Sequence, residues 1–498
     1  MECLLGFRSR SPPCHATTTP TPCRRPQKAH EHPPACPSAS RPDKVANGPL
    51  FVIFFIVPPM ESVPPPLSPP AKLWIVLGVL GGLGYAGWVQ LIRDEAPRTP
   101  LGFVLPEPLP PVSDADNGLV YLDAEIEKQS WPEIEGGEGG HKLIIGWRKP
   151  WDAERMQPLV DAAPAMREIL EKALSYPGWR EETGPGTRSF YKSVDLARNL
   201  LLAKVRQLAE AGEVQAAMDC LEPVTRLSRR QEQTPVSFAH FLIGAGASRA
   251  SDATLMRVLA LPGANDAILV RGFSWLEPPT ALREDMIKGL AGDYRRDAEL
   301  WFDARKDLKL KLGDIMGLMS GKDVPDWLAK SRFKPQAYHN LRLQHLALLD
   351  RISKDTGPAR LEQLRAARDS LEAESKLSSW SLDPNRVGRI LAASNHFDFK
   401  IAESTLSCDA FRRCCRVVVA AKRWSLAHGG QRVPALADLV PEYLPEVPLD
   451  PYDGRPLRWD AASGTAYVSG SDGVDDLPVF PPGEASVLRD GGVATRLP

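Results

Sequence analysis

The stretch RNLLLAKVRQLAEAGEVQAAMDCLEPVTRLSR, residues 198–229, sets the class of the fold. Leu201, Val205 and Leu208 recur at helical spacing on one face. After Gly212 the pattern restarts with Val214, Ala217, Leu221 and Val224. Two amphipathic helices with a glycine break between them read as a helical hairpin. Gly212 and Ala217 sit as they would in one tetratricopeptide-like hairpin, but no second copy follows at a fixed period to mark a solenoid.

Outward from this hairpin, the pattern turns helical at Asn117. Further helices are expected near residues 152–175, 236–260, 280–318, 335–353 and 358–377. A long helix is expected to open at Asp383-Pro384-Asn385 and run toward Ala427, where Gly429 and Gly430 stop it. The expected fold is mainly α. It comprises a single N-terminal transmembrane helix, a helical-hairpin body over 113–400 and a small α+β module over 401–477. Residues 478–498 are expected to be a flexible tail.

The amino-terminal end differs in composition. Of the 48 prolines, 17 fall in the first seventy positions. Residues 1–59 have the Pro/Ser/Thr/His composition of a disordered head. Met60 begins MESVPPPLSPPAK, a short polar lead over 60–72 that resembles a natural amino terminus, so translation is expected to start there. Leu73–Ile92 then carries twenty residues without a formal charge, with Trp74 and Trp88 near its ends. As a helix it reaches about 30 Å, the thickness of the hydrocarbon core. Only a helix satisfies the backbone of a single segment inside lipid, and the tryptophans suit the interfacial belt. A buried core helix is the alternative, but the proline-rich flanks supply no neighbouring core. A cleaved signal peptide would have a shorter apolar region and a small-residue cleavage site. Gly78 and Gly82, with Ala86 in step, offer a face for helix pairing.

A short lead with one anchor favours an amino terminus inside and a body outside. The expected location is the bacterial cytoplasmic membrane, with Leu73–Ile92 in lipid and the body extracytoplasmic. Residues 93–112, with six prolines, read as a semi-rigid extended spacer that holds the body clear of lipid.

Charge excludes one class of partner. The net charge is -1, so there is no basic field for nucleic acid. A protein partner is expected instead. Cys3, Cys14, Cys23 and Cys36 lie in the head and Cys220, Cys408, Cys414 and Cys415 in the body, none in a C-x-x-C pair, which argues against a zinc site and a disulfide framework.

Short motifs bring little chemistry. FLIGAGASRASD imitates the start of a dinucleotide fingerprint, with Asp266 twenty residues beyond Gly246. Arg249 replaces the third glycine and no strand precedes it, so a helix with a small-residue face is expected. DADNG at 114–118 places Ser113 and Ala115 where a calcium loop needs acids. His339 and His345, six apart, point away from a shared metal. No nucleophile and base stand out, so a scaffolding or interaction role is expected, with a component of a secretion or pilus-like apparatus and an enzyme whose site is assembled from scattered residues of the body as the alternatives.

The tail has a pattern of its own. A helix and a glycine breaker lead into LADLVPEYLPEVPLDPYDGRPLRW and then AYVSGSDGVDD. This order resembles the carboxy-terminal part of the major pseudopilin of type II secretion systems, over residues 415–477. The module is also similar to the end of a group of membrane-anchored helical proteins from planctomycete-type bacteria. Here the anchor lies three hundred residues upstream, and no pseudopilin processing site precedes Leu73. The resemblance implies a role at the cell envelope and a calcium loop at Asp472, to which Asp475 and Asp476 add hard oxygen ligands. The alternative is a solvated turn whose aspartates cap backbone amides. From the residues alone, Leu457, Trp459, Tyr467 and Val468 suit a two-stranded ribbon turning at Ser463-Gly464 and packed on the preceding helix.

Overall fold

A computed structural model of the chain describes residues 69–91, 94, 96–132, 151–180, 190–276, 282–307, 334–355, 359–375, 385–393, 396–470, 486–489 and 492–496. The head 1–59 and the start at Met60 lie outside the described residues. The chain divides into two units, Met1–Gly84 and Tyr85–Pro498.

The described part of the first unit belongs to helix α1, Pro69–Leu91. Trp74, Val76, Leu77, Val79, Leu80, Leu83 and Tyr85 on it are 47–72% exposed. Among the described residues no helix is long and apolar enough to cross a membrane; the expected span Leu73–Ile92 lies partly outside them.

The rest of the fold is mainly helical. The helices are α2 (Gly118–Glu127), α3 (Ala153–Leu174), α4 (Tyr191–Glu210), α5 (Val214–Gln233), α6 (Phe238–Ala260) and α7 (Asp266–Trp275). They continue with α8 (Leu282–Asp307), α9 (Pro335–Lys354), α10 (Ala359–Ser375), α11 (Arg386–Ala393) and α12 (His396–Ala427). Side chains set several starts. Asn117, Asp152, Ser237 and Asn265 accept helix N–H groups as N-caps of α2, α3, α6 and α7. The α4–α5 hairpin turns at Gly212, whose φ is +76°.

Helices α3, α4, α5 and α6 pack in sequence order. Leu200, Leu201, Leu202 and Ala203 are each 0–1% exposed, so α4 is apolar all round at that turn. That pattern needs a neighbour on both sides, which α3 and α5 provide. Each buried leucine contributes roughly 1.5–3 kcal/mol. Cys414–Ala421 is a second continuously buried run, Arg416 included. It makes α12 the central helix, packed on α6, α7, α8, α10 and the sheet. Burial pushes the Cys220 thiol up to about 11, and raises Cys408, Cys414 and Cys415 as well. All four are free thiols.

Three expectations are corrected. The long helix expected from Asp383 is divided into α11 and α12. The flexible tail 478–498 contains strands β3 (Ser486–Arg489) and β4 (Gly492–Arg496). With β1 (Arg458–Asp460) and β2 (Thr465–Tyr467) they form a four-stranded antiparallel sheet in the order β1-β2-β4-β3, where a two-stranded ribbon is expected. A lone ribbon is marginal in water, and pairing of β2 with β4 against α12 supplies the missing partners.

The proline-rich segment is extended, but it lies along the body instead of standing clear. Asp94 accepts from Gln336 N at 2.9 Å and Ala337 N at 3.1 Å, capping α9. Asn340 donates to Ala96 O and accepts from Arg98 N, each at 2.9 Å. Arg295 donates to Pro106 O and Arg180 to Leu109 O, while Phe103 is 7% exposed in the core.

Candidate functional site

The Pro448–Leu457 loop of the tail motif is explained by its own hydrogen bonds. Asp450 is 1% exposed and accepts from Tyr452 N at 2.8 Å, Ser469 N at 2.8 Å and Ser469 Oγ at 3.1 Å. Arg458 joins Asp450 to Asp453. Burial pushes the Asp450 carboxyl up, against the pull of those two backbone donors. Asp453 accepts from Arg455 N at 2.9 Å. These carboxylates hold a turn and a strand together. Asp472, Asp475 and Asp476, the residues assigned to calcium, lie outside the described residues. Among the described residues no group of three His, Cys, Asp or Glu side chains is placed to hold a metal ion. Burial lowers His339 and His345 to about 4, so both are neutral at pH 7.

A buried ion cluster joins α5, α6 and α12. Arg412 donates to Glu232 Oε2 at 3.2 Å and to Asp252 Oδ2 at 3.1 Å. Arg229 donates to Glu232 Oε2 at 3.2 Å and Asp252 Oδ1 at 2.7 Å. Ser248 Oγ donates to Glu232 Oε2 at 2.6 Å. Burial alone would raise the Glu232 carboxyl; Arg412, Arg229 and Ser248 hold it below its usual value. Two arginines balance two carboxylates; Arg412, Glu232 and Asp252 are buried, and Arg229 lies at the edge with its side chain 19% exposed. The chemistry of the cluster is cross-linking of helices.

Beside it lies a cavity of about 310 Å³. Leu119 of α2, Trp179 after α3, and Phe190, Tyr191 and Val194 at the start of α4 form one side. Gln231 and Thr234 at the end of α5, with Val236, Ala239, His240 and Ile243 leading into α6, form the other. Two glycines bring the walls together. A Cβ on Gly118 would lie 2.9 Å from the Trp179 ring and 2.2 Å from Ala173 O. A Cβ on Gly244 would lie 2.6 Å from Glu232 N and 2.7 Å from the Gln231 carbonyl carbon. The dinucleotide-like glycines therefore belong to a helix, as expected, and Gly244 serves close packing of α6 on α5.

Polar groups in the wall divide into two kinds. Thr234 Oγ1 donates to Arg230 O at 2.7 Å, and His240 Nδ1 lies 3.1 Å from Ser237 Oγ. That serine also accepts from His240 N at 3.3 Å as the α6 N-cap, so the pair forms the start of the helix. Gln231 Oε1 and Trp179 Nε1 are buried without a hydrogen-bond partner among the described residues. Sequence reasoning missed this site because it draws on four helices and their connections; the only local trace is Gly244 in a helix.

No family model, curated protein or solved structure matches the chain.

Proposed function

We propose that the protein is a single-pass membrane-anchored scaffold at the bacterial cell envelope, with Leu73–Ile92 in the cytoplasmic membrane and the helical body on the extracytoplasmic side. The observation that carries this reading is α1, whose described apolar side chains, Trp74 through Tyr85, are exposed along its length. So long an apolar surface is costly in water and favourable in lipid. A protein partner fits a body built of packed helices and a small sheet.

The test is fractionation of cells producing the full chain. After lysis without detergent and ultracentrifugation, the protein pellets and resists alkaline carbonate. Recovery in the supernatant rejects the anchor. Protease added to spheroplasts digests the body; a protected body reverses the orientation.

A second reading makes the protein a component of a type II secretion or pilus-like apparatus. It is favoured by the order of α12, the Leu436–Leu439 turn, the Pro448–Leu457 loop and the antiparallel sheet, which follows the order of the pseudopilin resemblance. Crosslinking to secretion components supports it, and a clean separation from them on purification rejects it.

A further inference from the structure

We propose that the body rests directly on the bilayer that holds the anchor, with Leu101 and Val104 dipped into its interfacial layer. The inference rests on the membrane reading of Leu73–Ile92. Helix α1 ends at Leu91, and Asp94 already caps α9. Both residues belong to the second unit, and three peptide steps join them, a reach of about 11 Å at most. A span that ends at Ile92 leaves only Arg93 between the hydrocarbon and the clasp. The headgroup layer is itself about 5–8 Å deep on each side. The first turn of α9 is therefore held at the surface of the lipid, and the proline-rich segment cannot lift the body away.

The segment then follows α9 and turns sharply. Ala96 and Arg98 bond to Asn340, one helical turn beyond Gln336 and so about 6 Å along the axis. Leu101 comes three residues later, at most about 11 Å further on. Phe103 N donates to Pro100 O at 3.3 Å and Gly102 has φ +74°, which puts Leu101 at the tip of a tight turn. Phe103 enters the core, whereas Leu101 and Val104 on either side of it are 106% and 85% exposed. Among the described residues of the second unit these are the most exposed large apolar side chains. Single exposed leucines are ordinary on a protein surface. This pair follows directly on the point where the chain leaves lipid, so the bilayer is the apolar phase within reach. Side chains lying on a membrane in this way sink about 5–10 Å into the boundary between headgroups and acyl chains.

The test uses the full chain in nanodiscs of phosphatidylcholine and phosphatidylglycerol. A photoreactive benzoylphenylalanine replaces Leu80, Leu101, Val104, Val270 or Leu449, one at a time, and mass spectrometry counts lipid adducts after irradiation. Leu80 lies on α1 and reports the anchor; Val270 and Leu449 are exposed apolar positions elsewhere on the body and set the background. Adducts at 101 and 104 should exceed that background about fivefold or more. Leu101→Asp, at a position clear of the core, should lower the adduct at 104 about threefold while keeping the helical circular dichroism of the parent. Lipid adducts at 80 with only background at 101 and 104 overturn the seat and leave the anchor standing. Absence of adducts at 80 removes the anchor and the seat with it. Crosslinks from 101 and 104 to protein instead of lipid, or an adduct at 104 that Leu101→Asp leaves unchanged, also overturn the proposal.

Discussion

Gln231 and Glu232 are neighbours at the end of one helix, and the structure treats them in opposite ways. Glu232 turns inward to two arginines and a serine, and its carboxylate is fully partnered. Gln231 borders the cavity, yet its side-chain oxygen is shut off from solvent and has no partner among the described residues. Asp285 on α8 stands between these cases. It is 2% exposed and pairs with Lys288 at 2.9 Å. One lysine does not offset burial, which pushes the Asp285 carboxyl up to about 6. The difference teaches that burial of a polar group is neither structural nor functional by itself. What decides is whether the fold supplies its partners. A completed set ties helices together, and an incomplete set leaves a desolvation cost that nothing offsets.

The comparison breaks most forcibly at its completed end. Arg412→Ala leaves two buried carboxylates with a single arginine, and a loss of about 3–5 kcal/mol in unfolding free energy is expected. Urea titration followed by circular dichroism checks it; a loss below about 1 kcal/mol would show that the cluster contributes little.

Asp285 tests the intermediate case through pH. Its folded-state carboxyl titrates near 6 against the usual 3.8, so the folded state holds the extra proton between those values. Its contribution to stability is complete below about pH 3.8 and is lost as pH rises through 6, a change of about 3 kcal/mol. Asp285→Asn should flatten that part of the stability–pH curve, measured on both proteins by denaturant midpoints. Identical slopes would refute the assignment.

Gly244 sharpens the comparison by moving both neighbours together. A methyl group there meets backbone, which does not yield as a flexible side chain would. Gly244→Ala should cost about 1–3 kcal/mol and lower the melting temperature as α6 is pushed from α5. The smallest effect belongs to the incomplete end. Gln231→Leu removes an acceptor with no donor, so stability should stay the same or rise by up to about 1 kcal/mol. A drop beyond 1 kcal/mol would mean that the amide has a structural task.

How much of this was legible in the sequence follows from how local each signal is. The α4–α5 hairpin was, because apolar spacing and Gly212 lie within one short run. The small-residue helix α6 was legible for the same reason. Helix α7 was not among the expected helices; its N-cap Asn265 and ten residues carry too short a pattern. Strands β3 and β4 had a signal that went unread. Their register pairs Arg489 with Gly492 and leaves Asp490-Gly491 between them, a dipeptide that favours hairpin turns. The prolines of 93–112 announced extended backbone, but not that Arg180, Arg295 and Asn340 would take up its polar groups. The ion cluster joins residues up to 180 positions apart, and the cavity wall joins Leu119 to Ile243. Neither leaves a spacing to read.

Asp94 has a practical consequence for dissecting the chain. Its carboxylate closes the first turn of α9 from 242 positions away, and Ala96, Arg98 and Phe103 follow it onto the same body. A truncated protein cut at residue 113, the boundary that composition suggests, would uncap a helix and open a hole where a phenyl ring belongs. One cut just ahead of Asp94 keeps the clasp shut. It is the shorter deletion that yields a stable lobe.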